Sequence, residues 1–326
     1  MALFGINVGF SQAQYVADVL GEGYFSRTIR MADDYDGEVI CTLIRKPLRS
    51  ESDKAVLYLH GYNDYFFQKA LGDSITAHGY HFYALDLRKY GRSILPHQDP
   101  FFCKSLTEYF ADIDTALTII RQEGNREIIL MGHSTGGLIL PLYMKECGDR
   151  HPVSRMILNS PFLDMHMSWL MEKVLVPVVA FVGKFFPKLT VLKGGSANLY
   201  GQSIHIDYRG EWAFNTTWKK LNSHAKRAGW LKAIHQGHRI VQKGLSLHIP
   251  VLVLSSDKSI RETDQWQDEY QTADAVLDVE DIRKYGLRLS SDLTFCQIPN
   301  GMHDLILSQK PYRDEAYRTM FTWLEE

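Results

Sequence analysis

The sequence predicts an α/β protein in which helices cover both faces of a mostly parallel sheet. The first reason is that strand-like apolar runs alternate with helix-like segments in the first half of the chain and again near its end. The second is a G-x-S-x-G pentapeptide, Gly132–Gly136, which lies between one such strand and one such helix. The third is size, because 326 residues with 45% hydrophobic content suffice for one domain with an elaborated insertion.

The first element is an antiparallel hairpin, and strands and helices alternate after it. Residues 24–31 and 38–46 form the hairpin around a polar turn at 32–37. The later strands are expected at 55–59, 81–87, 126–131 and 155–159, and the helices at 66–77, 105–122 and 135–146. Strands that are joined through helices pair in parallel, so this order predicts a parallel sheet.

The alternation is interrupted after Pro161 and resumes at Pro250. We therefore divide the chain into a first part of the core at 1–161, an insertion at 162–249 that we call the cap, and the rest of the core at 250–326. The pattern of the cap is mainly helical and rich in aromatic residues: Phe162, Trp169, Phe181, Phe185, Phe186, Trp212, Phe214, Trp218 and Trp230. We expect about one in three of them to line an apolar channel above the sheet, and the others to hold the cap together.

One stretch of the cap is a candidate lipid-facing helix. Its apolar residues recur at helical spacing: Met171, Val174, Leu175, Val178, Val179, Val182, Phe185 and Phe186. Pro177 is expected to bend this helix. Transient contact with a membrane surface and burial against the core are the two roles that fit the stretch. The ten uncharged residues at 174–183, bounded by Lys173 and Lys184, are too few to span a bilayer.

The pentapeptide Gly132–Gly136 has the form of a nucleophile elbow. It follows the apolar run Ile128–Met131 and precedes the helix-like run Gly137–Leu140. Its glycines remove side chains that would clash where a strand turns sharply into a helix. Ser134 would then stand above the sheet, close to the backbone N–H groups that start the helix. An ordinary glycine-lined turn is the alternative interpretation.

Other motifs complete a resemblance to the α/β-hydrolase family. A strand at 56–59 ends in His60–Tyr62, and a strand at 293–298 is followed by His303. The chain order of serine, acid and histidine is the order of this family. The sequence most resembles the monoacylglycerol lipase and lysophospholipase branch, also called the serine aminopeptidase-like hydrolases. The resemblance extends from about residue 24 to the end and is carried by Leu59–Gly61, Ala84–Ser93, Met131–Gly137, Asn159–Pro161 and the region of His303.

The resemblance implies an α/β-hydrolase fold, a mechanism and a class of substrate. Ser134 would be the nucleophile and His303 the general base, while the backbone N–H groups of Tyr62 and Thr135 would stabilise the oxyanion of the bound substrate. The substrate would be a small-molecule ester or lipid with an apolar acyl chain, of the monoacylglycerol or lysophospholipid type, and no cofactor would be needed. A peptidase or amidase on the same scaffold and a non-catalytic hydrolase-fold scaffold are the alternatives. The segment Asp86–Ser93 would be a structural turn.

Two aspartates compete for the third position of the triad. Asp257 follows the strand after the cap directly, and this position favours it. Asp274 lies 29 residues before His303, a spacing that a helix and a strand fill, whereas Asp257 lies 46 residues before it. Asp274 also opens a D-x-V-L segment that resembles the D-x-V-V sequence of the family. We favour Asp274, interpret residues 257–273 as an inserted polar loop, and expect Asp304 to make a structural hydrogen bond.

The composition argues against several other classes of function. With 36 Lys and Arg against 38 Asp and Glu, the chain lacks the basic excess of a nucleic-acid-binding protein. The four cysteines are Cys41, Cys103, Cys147 and Cys296. They have neither disulfide-framework nor metal-ligand spacing, which favours a reducing, cytoplasmic compartment, and the N-terminus has no signal-peptide pattern. His235 and His238 stand three residues apart without a third ligand, so no metal is predicted. The sequence does not predict an oligomeric state.

Overall fold

The main sheet is formed by both parts of the core. The computed structural model describes residues 14–166, 174–192, 199–222 and 224–326. Among them the sheet has nine strands: β1 (Val16–Ala17), β2 (Phe25–Arg30), β3 (Ile40–Lys46), β4 (Lys54–Leu59), β5 (His81–Asp86), β6 (Glu127–His133), β7 (Val153–Asn159), β10 (Val251–Ser256) and β11 (Leu293–Ile298). Their spatial order is β1-β2-β3-β5-β4-β6-β7-β10-β11. The pairs from β5 to β11 are parallel and those from β1 to β5 are antiparallel, so the mostly parallel sheet is confirmed.

Helices cover both faces of this sheet, as predicted. Those of the core are α1 (Lys69–Ala77), α2 (Phe110–Gln122), α3 (Thr135–Cys147), α7 (Val279–Gly286) and α8 (Lys310–Glu325). Side chains alternate along each strand, so Leu57 of β4 belongs to the apolar cluster with α2, α3 and α7. Its neighbour Tyr58 belongs to the opposite cluster, with α1 and α8. Strands β3 to β7 and β10 therefore each contribute to two apolar cores.

Two predicted helices begin differently from their sequence pattern. α1 begins at Lys69 instead of three residues earlier, because the N–H of Phe66 donates to Asp86 Oδ1 at 2.9 Å and ties the chain to the end of β5. The helix predicted at 105–122 begins with a 3₁₀ turn that is capped by Ser105, and α2 follows it. The short strand β1 was not predicted, since two residues carry no readable periodicity.

The described part of the cap contains less helix than its pattern predicts. Its elements are α4 (Val176–Phe185), β8 (Thr190–Leu192), α5 (Leu199–Ile204), β9 (Lys226–Arg227) and α6 (Ala228–Val241), and β8 pairs with β9. α4 packs on α6 so closely that a Cβ on Gly183 would lie 2.4 Å from the Ala228 carbonyl oxygen. Pro177 is the second residue of α4 and directly follows the π-helical residues Val174 and Leu175 and the first residue, Val176. The bend expected at Pro177 stays a prediction, because the chain before Val174 lies outside the described residues.

The loops after several parallel strands meet at one edge of the sheet. The chain leaves β4 towards Tyr62, β6 towards Ser134 and β11 towards His303. The carboxyl ends of parallel strands share an edge, so residues far apart in sequence become neighbours there. None of the helices in the described ranges is long and apolar enough to cross a lipid bilayer.

Candidate active site

Ser134 occupies a strained turn between β6 and α3. Its φ of 52° and ψ of −114° lie outside the regions that a residue with a side chain normally adopts, at a cost of about 1–3 kcal/mol. Two backbone hydrogen bonds hold this conformation. The Ser134 N–H donates to the Asn159 carbonyl at 3.0 Å, and the Ser134 carbonyl accepts from the Phe162 N–H at 2.9 Å. The turn has the geometry of the predicted elbow and is supported by the end of β7.

The glycines on either side of Ser134 are required by contact distances. A Cβ on Gly132 would lie 2.8 Å from the backbone of Gly136, and a Cβ on Gly136 would lie 2.5 Å from the Leu59 carbonyl oxygen. Each clash is with backbone, which cannot rotate away as a flexible side chain can. The spacing of the pentapeptide therefore follows from how closely α3 starts against the sheet.

Ser134, His303 and Asp274 form a chain of hydrogen bonds. The Ser134 hydroxyl lies 3.0 Å from His303 Nε2, and His303 Nδ1 lies 2.9 Å from Asp274 Oδ2. A carboxylate only accepts, so Nδ1 carries the imidazole proton and Nε2 is left to accept from the hydroxyl. His303 is 3% exposed and Asp274 is fully buried. This arrangement can remove a proton from the serine hydroxyl while shielding the histidine from water.

Asp274 is fixed by the chain that follows it. Its Oδ1 accepts from the N–H groups of Val276 and Leu277, both at 2.8 Å, which leaves Oδ2 for His303. The Asp274 carbonyl also accepts from the N–H of Ile260 at 2.9 Å. Two backbone N–H groups therefore fix the orientation of the Asp274 carboxylate, and a third backbone hydrogen bond holds its main chain.

Asp257, the competing candidate, makes a different contact. It is exposed just beyond β10, and its Oδ1 accepts from the Asn300 N–H at 2.8 Å. The chain then runs through the polar loop and returns, so that Ser259 pairs with Asp274 in a parallel bridge. The loop at 257–273 thus brings the later aspartate back towards the strand end, as the spacing argument expected.

Two backbone N–H groups beside Ser134 are available to an oxyanion. Thr135 is the first residue of α3, and the first N–H groups of a helix have no acceptor within it. Tyr62 follows β4, and its N–H donates to no acceptor among the described residues. Both residues line the same cavity as Ser134. They can act as the two predicted donors.

The loop that carries Tyr62 is attached to the cap at three successive residues. Asn63 Nδ2 donates to the Lys220 carbonyl at 2.8 Å, and Asn63 Oδ1 accepts from the Lys220 N–H at 3.0 Å. Lys219 Nζ lies 2.8 Å from Asp64 Oδ1. Tyr65 accepts at its hydroxyl from the backbone N–H of residue 215 at 2.7 Å. We call this set of contacts the loop–cap clamp.

Buried charged side chains lie where the loop–cap clamp approaches Ser134 and His303. Burial opposes the charge on Asp64, but Lys219 and His133 hold the pKa of that carboxyl well below its usual range. Burial also opposes protonation of His133, while Asp304 and Asp64 raise its pKa. His133 Nδ1 lies 3.7 Å from Asp64 Oδ2. Asp64 and Lys219 were not identified from the sequence, because they lie 155 residues apart in no recognisable motif.

Two other acidic residues have the structural roles that were expected. Asp304 Oδ1 accepts from Asn159 Nδ2 at 2.7 Å, and its Oδ2 accepts from Gln68 Nε2 at 3.2 Å. Asp86 Oδ2 accepts from the N–H of Arg92 at 3.0 Å and holds the turn after β5. Neither carboxylate contacts Ser134 or His303 within hydrogen-bonding distance in the described structure, so neither competes with Asp274.

A cavity of about 540 Å³ opens over Ser134 between the core and the cap. Four aromatic residues of the cap line it, together with Tyr62 from the loop after β4: Phe162, Tyr200, Phe214 and Trp230. The size is that of a small-ligand site. The Tyr62 ring packs on Trp230 with centroids 4.5 Å apart, so one wall joins the catalytic loop to α6.

Phe185, one of the nine aromatic residues singled out in the cap and part of the candidate lipid-facing stretch, does not line this cavity. It is 59% exposed on the outer side of α4 and is absent from the cavity wall. Trp169 and Met171, the other residues singled out in that part of the cap, lie outside the described residues. Helical periodicity identifies an apolar face but not the direction in which that face points, and here Phe185 points away from the cavity.

His238, one of the two histidines near the end of the cap, joins two elements of the structure. His238 Nε2 lies 2.9 Å from the Phe162 carbonyl oxygen and joins α6 to the chain that follows β7. In the described ranges no group of three or more His, Cys, Asp or Glu side chains could hold a metal ion.

The chain is similar to known proteins over most of its length. The family described as serine aminopeptidase, S33, matches residues 50–310. No curated protein sequence gives a significant match.

Solved structures of lipases and esterases share the fold. A soluble variant of monoglyceride lipase from Saccharomyces cerevisiae, in complex with a substrate analog, is 18% identical with a TM-score of 0.68, covering 90% of this chain and 93% of that chain. A monoacylglycerol lipase from Paleococcus ferrophilus is 19% identical with a TM-score of 0.62, covering 86% and 98%. A thermostable carboxyl esterase from Bacillus coagulans is 13% identical with a TM-score of 0.62, covering 92% and 98%. At these identities the likeness establishes the fold alone.

Proposed function

The chain belongs to the serine aminopeptidase S33 family of α/β hydrolases, and we propose that it is a serine carboxylic-ester hydrolase that works through an acyl-serine intermediate. The observation that carries the proposal is the hydrogen-bonded chain from Ser134 through His303 to Asp274, which faces a cavity with apolar and polar walls. A non-catalytic scaffold has no need for this alignment, and such scaffolds usually lack one of the three groups.

The proposed reaction has two halves, acylation of Ser134 and hydrolysis of the acyl-serine, and the same groups act in both. His303 takes the Ser134 proton as the hydroxyl oxygen attacks the ester carbonyl, and Asp274 stabilises the imidazolium that forms. The N–H groups of Tyr62 and Thr135 donate to the oxyanion. His303 then gives its proton to the departing alcohol. Water, deprotonated by His303, releases the carboxylic acid in the second half.

The lining of the cavity supports an ester with an apolar acyl chain, of the monoacylglycerol or lysophospholipid type. Aromatic rings and the side chains of Ile204 and Leu277 provide a surface for the acyl chain. An aminopeptidase would need a carboxylate for the substrate ammonium. Of the two acidic residues that line the described cavity, Asp64 is paired with Lys219. The other, Glu262, accepts at Oε1 from the Leu199 N–H at 3.2 Å. Both carboxylates therefore have partners within the protein, which supports ester hydrolysis over peptidase activity.

We also propose that the cap makes transient contact with a membrane surface through α4. The residues on its outer side are each more than two-fifths exposed: Val174, Leu175, Val178, Phe181, Phe185 and Phe186. Lys184 lies beside them, with its Nζ 5.7 Å from the centroid of the Phe185 ring, and suits an anionic lipid surface. Phe181→Asp should reduce co-sedimentation with phosphatidylglycerol vesicles. Ile240→Asp, which changes an exposed apolar residue of α6, is the matched control. Equal co-sedimentation of both variants and wild type would exclude this contact.

Labelling with a fluorophosphonate tests the catalytic proposal directly. Wild type should be labelled at Ser134 and should hydrolyse 4-nitrophenyl esters, a monoacylglycerol or a lysophospholipid faster than an aminoacyl amide. Ser134→Ala should lose labelling and turnover but keep its unfolding midpoint, whereas Ser50→Ala, an exposed control, should match wild type. Labelling at another residue, or faster cleavage of the amide, would contradict the proposal.

A further inference from the structure

Cationic side chains from separate segments of the chain converge on the cavity above Ser134. Those in the described lining are Lys219, Lys220, Lys226 and Arg261. The first two belong to the loop–cap clamp, the third belongs to β9, and the fourth belongs to the polar loop before Asp274. Only two acidic side chains line the same described surface, Asp64 and Glu262. The cavity therefore carries an excess of positive charge, although the whole chain has a formal net charge of −2.

The two acidic side chains leave most of this positive charge uncompensated. Asp64 forms its buried ion pair with Lys219 at 2.8 Å. Among the described side chains, no carboxylate lies within the 4.0 Å ion-pair distance of Lys220, Lys226 or Arg261. Glu262 instead accepts at Oε1 from the N–H of Leu199 at 3.2 Å. Three cations therefore remain for a ligand.

Lys226 is the most informative of the three because it is partly buried in the wall. Burial lowers the pKa of Lys226, and the charge of Glu262 opposes that change without a direct ion pair. An ammonium group that has lost part of its water is stabilised by an anion that can accept its hydrogen bonds. Arg261 and Lys220 are exposed at the same cavity, where they can attract such an anion before it enters.

We propose that the cavity selects acyl esters whose head group carries an anion, a phosphate or a carboxylate, which Lys226 and Arg261 bind. The apolar walls take the acyl chain, so the lining as a whole suits an amphipathic anionic ester. The inference rests on the proposed ester hydrolysis, because the same cavity must hold the reacting bond. The cations choose the substrate and take no part in acyl transfer.

A set of esters with one acyl chain tests this selection. Decanoylglycerol, its 3-phosphate, its hemisuccinate and its phosphocholine ester share one decanoyl ester and differ in the head group, which is neutral, anionic, anionic and zwitterionic in turn. Release of decanoic acid is the readout for all four. Wild type should show a kcat/KM at least about tenfold higher for the phosphate or the hemisuccinate than for the neutral ester, as one charge-assisted contact provides. The better of the two identifies the anion. A kcat/KM for the neutral or the zwitterionic ester equal to or above both would overturn the inference.

Variants assign the selection to named residues. Lys226→Gln and Arg261→Gln should each lower the ratio of kcat/KM for anionic to neutral ester by roughly tenfold. Lys145→Gln removes the same charge from the exposed side of α3 and should leave the ratio at its wild-type value. A ratio that survives the double variant would show that other groups hold the anion and would contradict the assignment.

Binding without turnover separates this inference from the proposed function. The Ser134→Ala protein should bind decyl phosphate at least about tenfold more tightly than 1-decanol by calorimetry. The preference should disappear in the background of Lys226→Gln and Arg261→Gln. That result supports the anion site even if no ester is hydrolysed. Equal affinity for the two decyl compounds would refute the site even if esters are hydrolysed rapidly.

Discussion

The catalytic centre and the cap are held by different kinds of contact. Around Ser134, backbone approaches backbone, as where Gly136 starts α3 against the Leu59 carbonyl. The cap instead reaches the catalytic loop through side chains, and the buried pair of Lys219 and Asp64 is the central contact. The difference separates two tasks. Short motifs fix the position of the reacting groups, whereas contacts between distant residues shape the cavity that the substrate enters.

The largest effect is expected inside the catalytic centre. Asp274→Asn should lower kcat by about 10⁴-fold without unfolding the protein, because the imidazole loses its counter-charge and its tautomer control. Asp257→Asn, which removes charge from an exposed residue close in sequence, should stay within about twofold of wild type. Turnover of a 4-nitrophenyl ester measures both. The reverse pattern would mean that the strand-end position, and not the spacing, identifies the acid.

A large effect on stability is expected at the clamp. Lys219→Met leaves Asp64 buried without its partner and should lower the free energy of unfolding by about 3–5 kcal/mol in a urea titration. The double variant with Asp64→Asn should recover most of that loss. Lys310→Met removes the exposed pair with Asp314 and should cost about 1 kcal/mol or less. Equal losses for the two lysines would show that the clamp is no more than a surface contact.

A smaller effect is expected on substrate selection by the cap. Phe214→Ala enlarges the cavity wall and should change the ratio of kcat/KM for long-chain to short-chain esters by roughly tenfold. Phe185→Ala removes a ring that faces away from the cavity and should leave the ratio unchanged. Rates on 4-nitrophenyl butyrate and decanoate give the ratio. A shift with Phe185→Ala alone would place the acyl chain on the outer side of α4.

The smallest effect is expected from pH. The pKa of Asp64 is lowered in the folded protein, so its contribution to stability is complete above the ordinary carboxyl pKa of about 3.9 and is lost as the pH falls further below that value. Asp64→Asn should therefore flatten the acid limb of the unfolding free energy by up to about 1.4 kcal/mol per pH unit. Equal slopes below pH 4, measured by denaturation at several pH values, would contradict the charge assignment.

The difference between short local motifs and contacts of distant residues also explains what could be predicted from the sequence. Ser134 lies in a local motif whose glycines are dictated by its immediate neighbours, and His303 follows a readable strand. Asp274 required an argument from spacing, because the loop at 257–273 separates it from the strand that it serves. The parallel sheet was predicted because alternation of strands and helices leaves little other choice of topology.

The remaining features depend on contacts that no short segment contains. Asn63 and Lys220 come together only when the cap folds over the core, so nothing near either residue signals the pairing. The aromatic residues of the cap could be counted but not assigned, because the sequence does not indicate that Phe214 lines the cavity and that Phe185 faces away from it. Periodicity cannot distinguish a face that packs on protein from one that meets solvent.

The clamp also limits how this protein can be re-engineered. Exchanging the insertion for that of another hydrolase is an obvious way to change substrate preference. Here the segment at 215–220 provides one partner of every bond in the loop–cap clamp, which holds residues 63–65 beside Ser134. A chimera made by cutting at the ends of the insertion would separate residues 63–65 from residues 215–220. The loop that carries Tyr62 would then lose its support. A working transplant must therefore move the donor's partner loop together with its insertion, as a single matched unit.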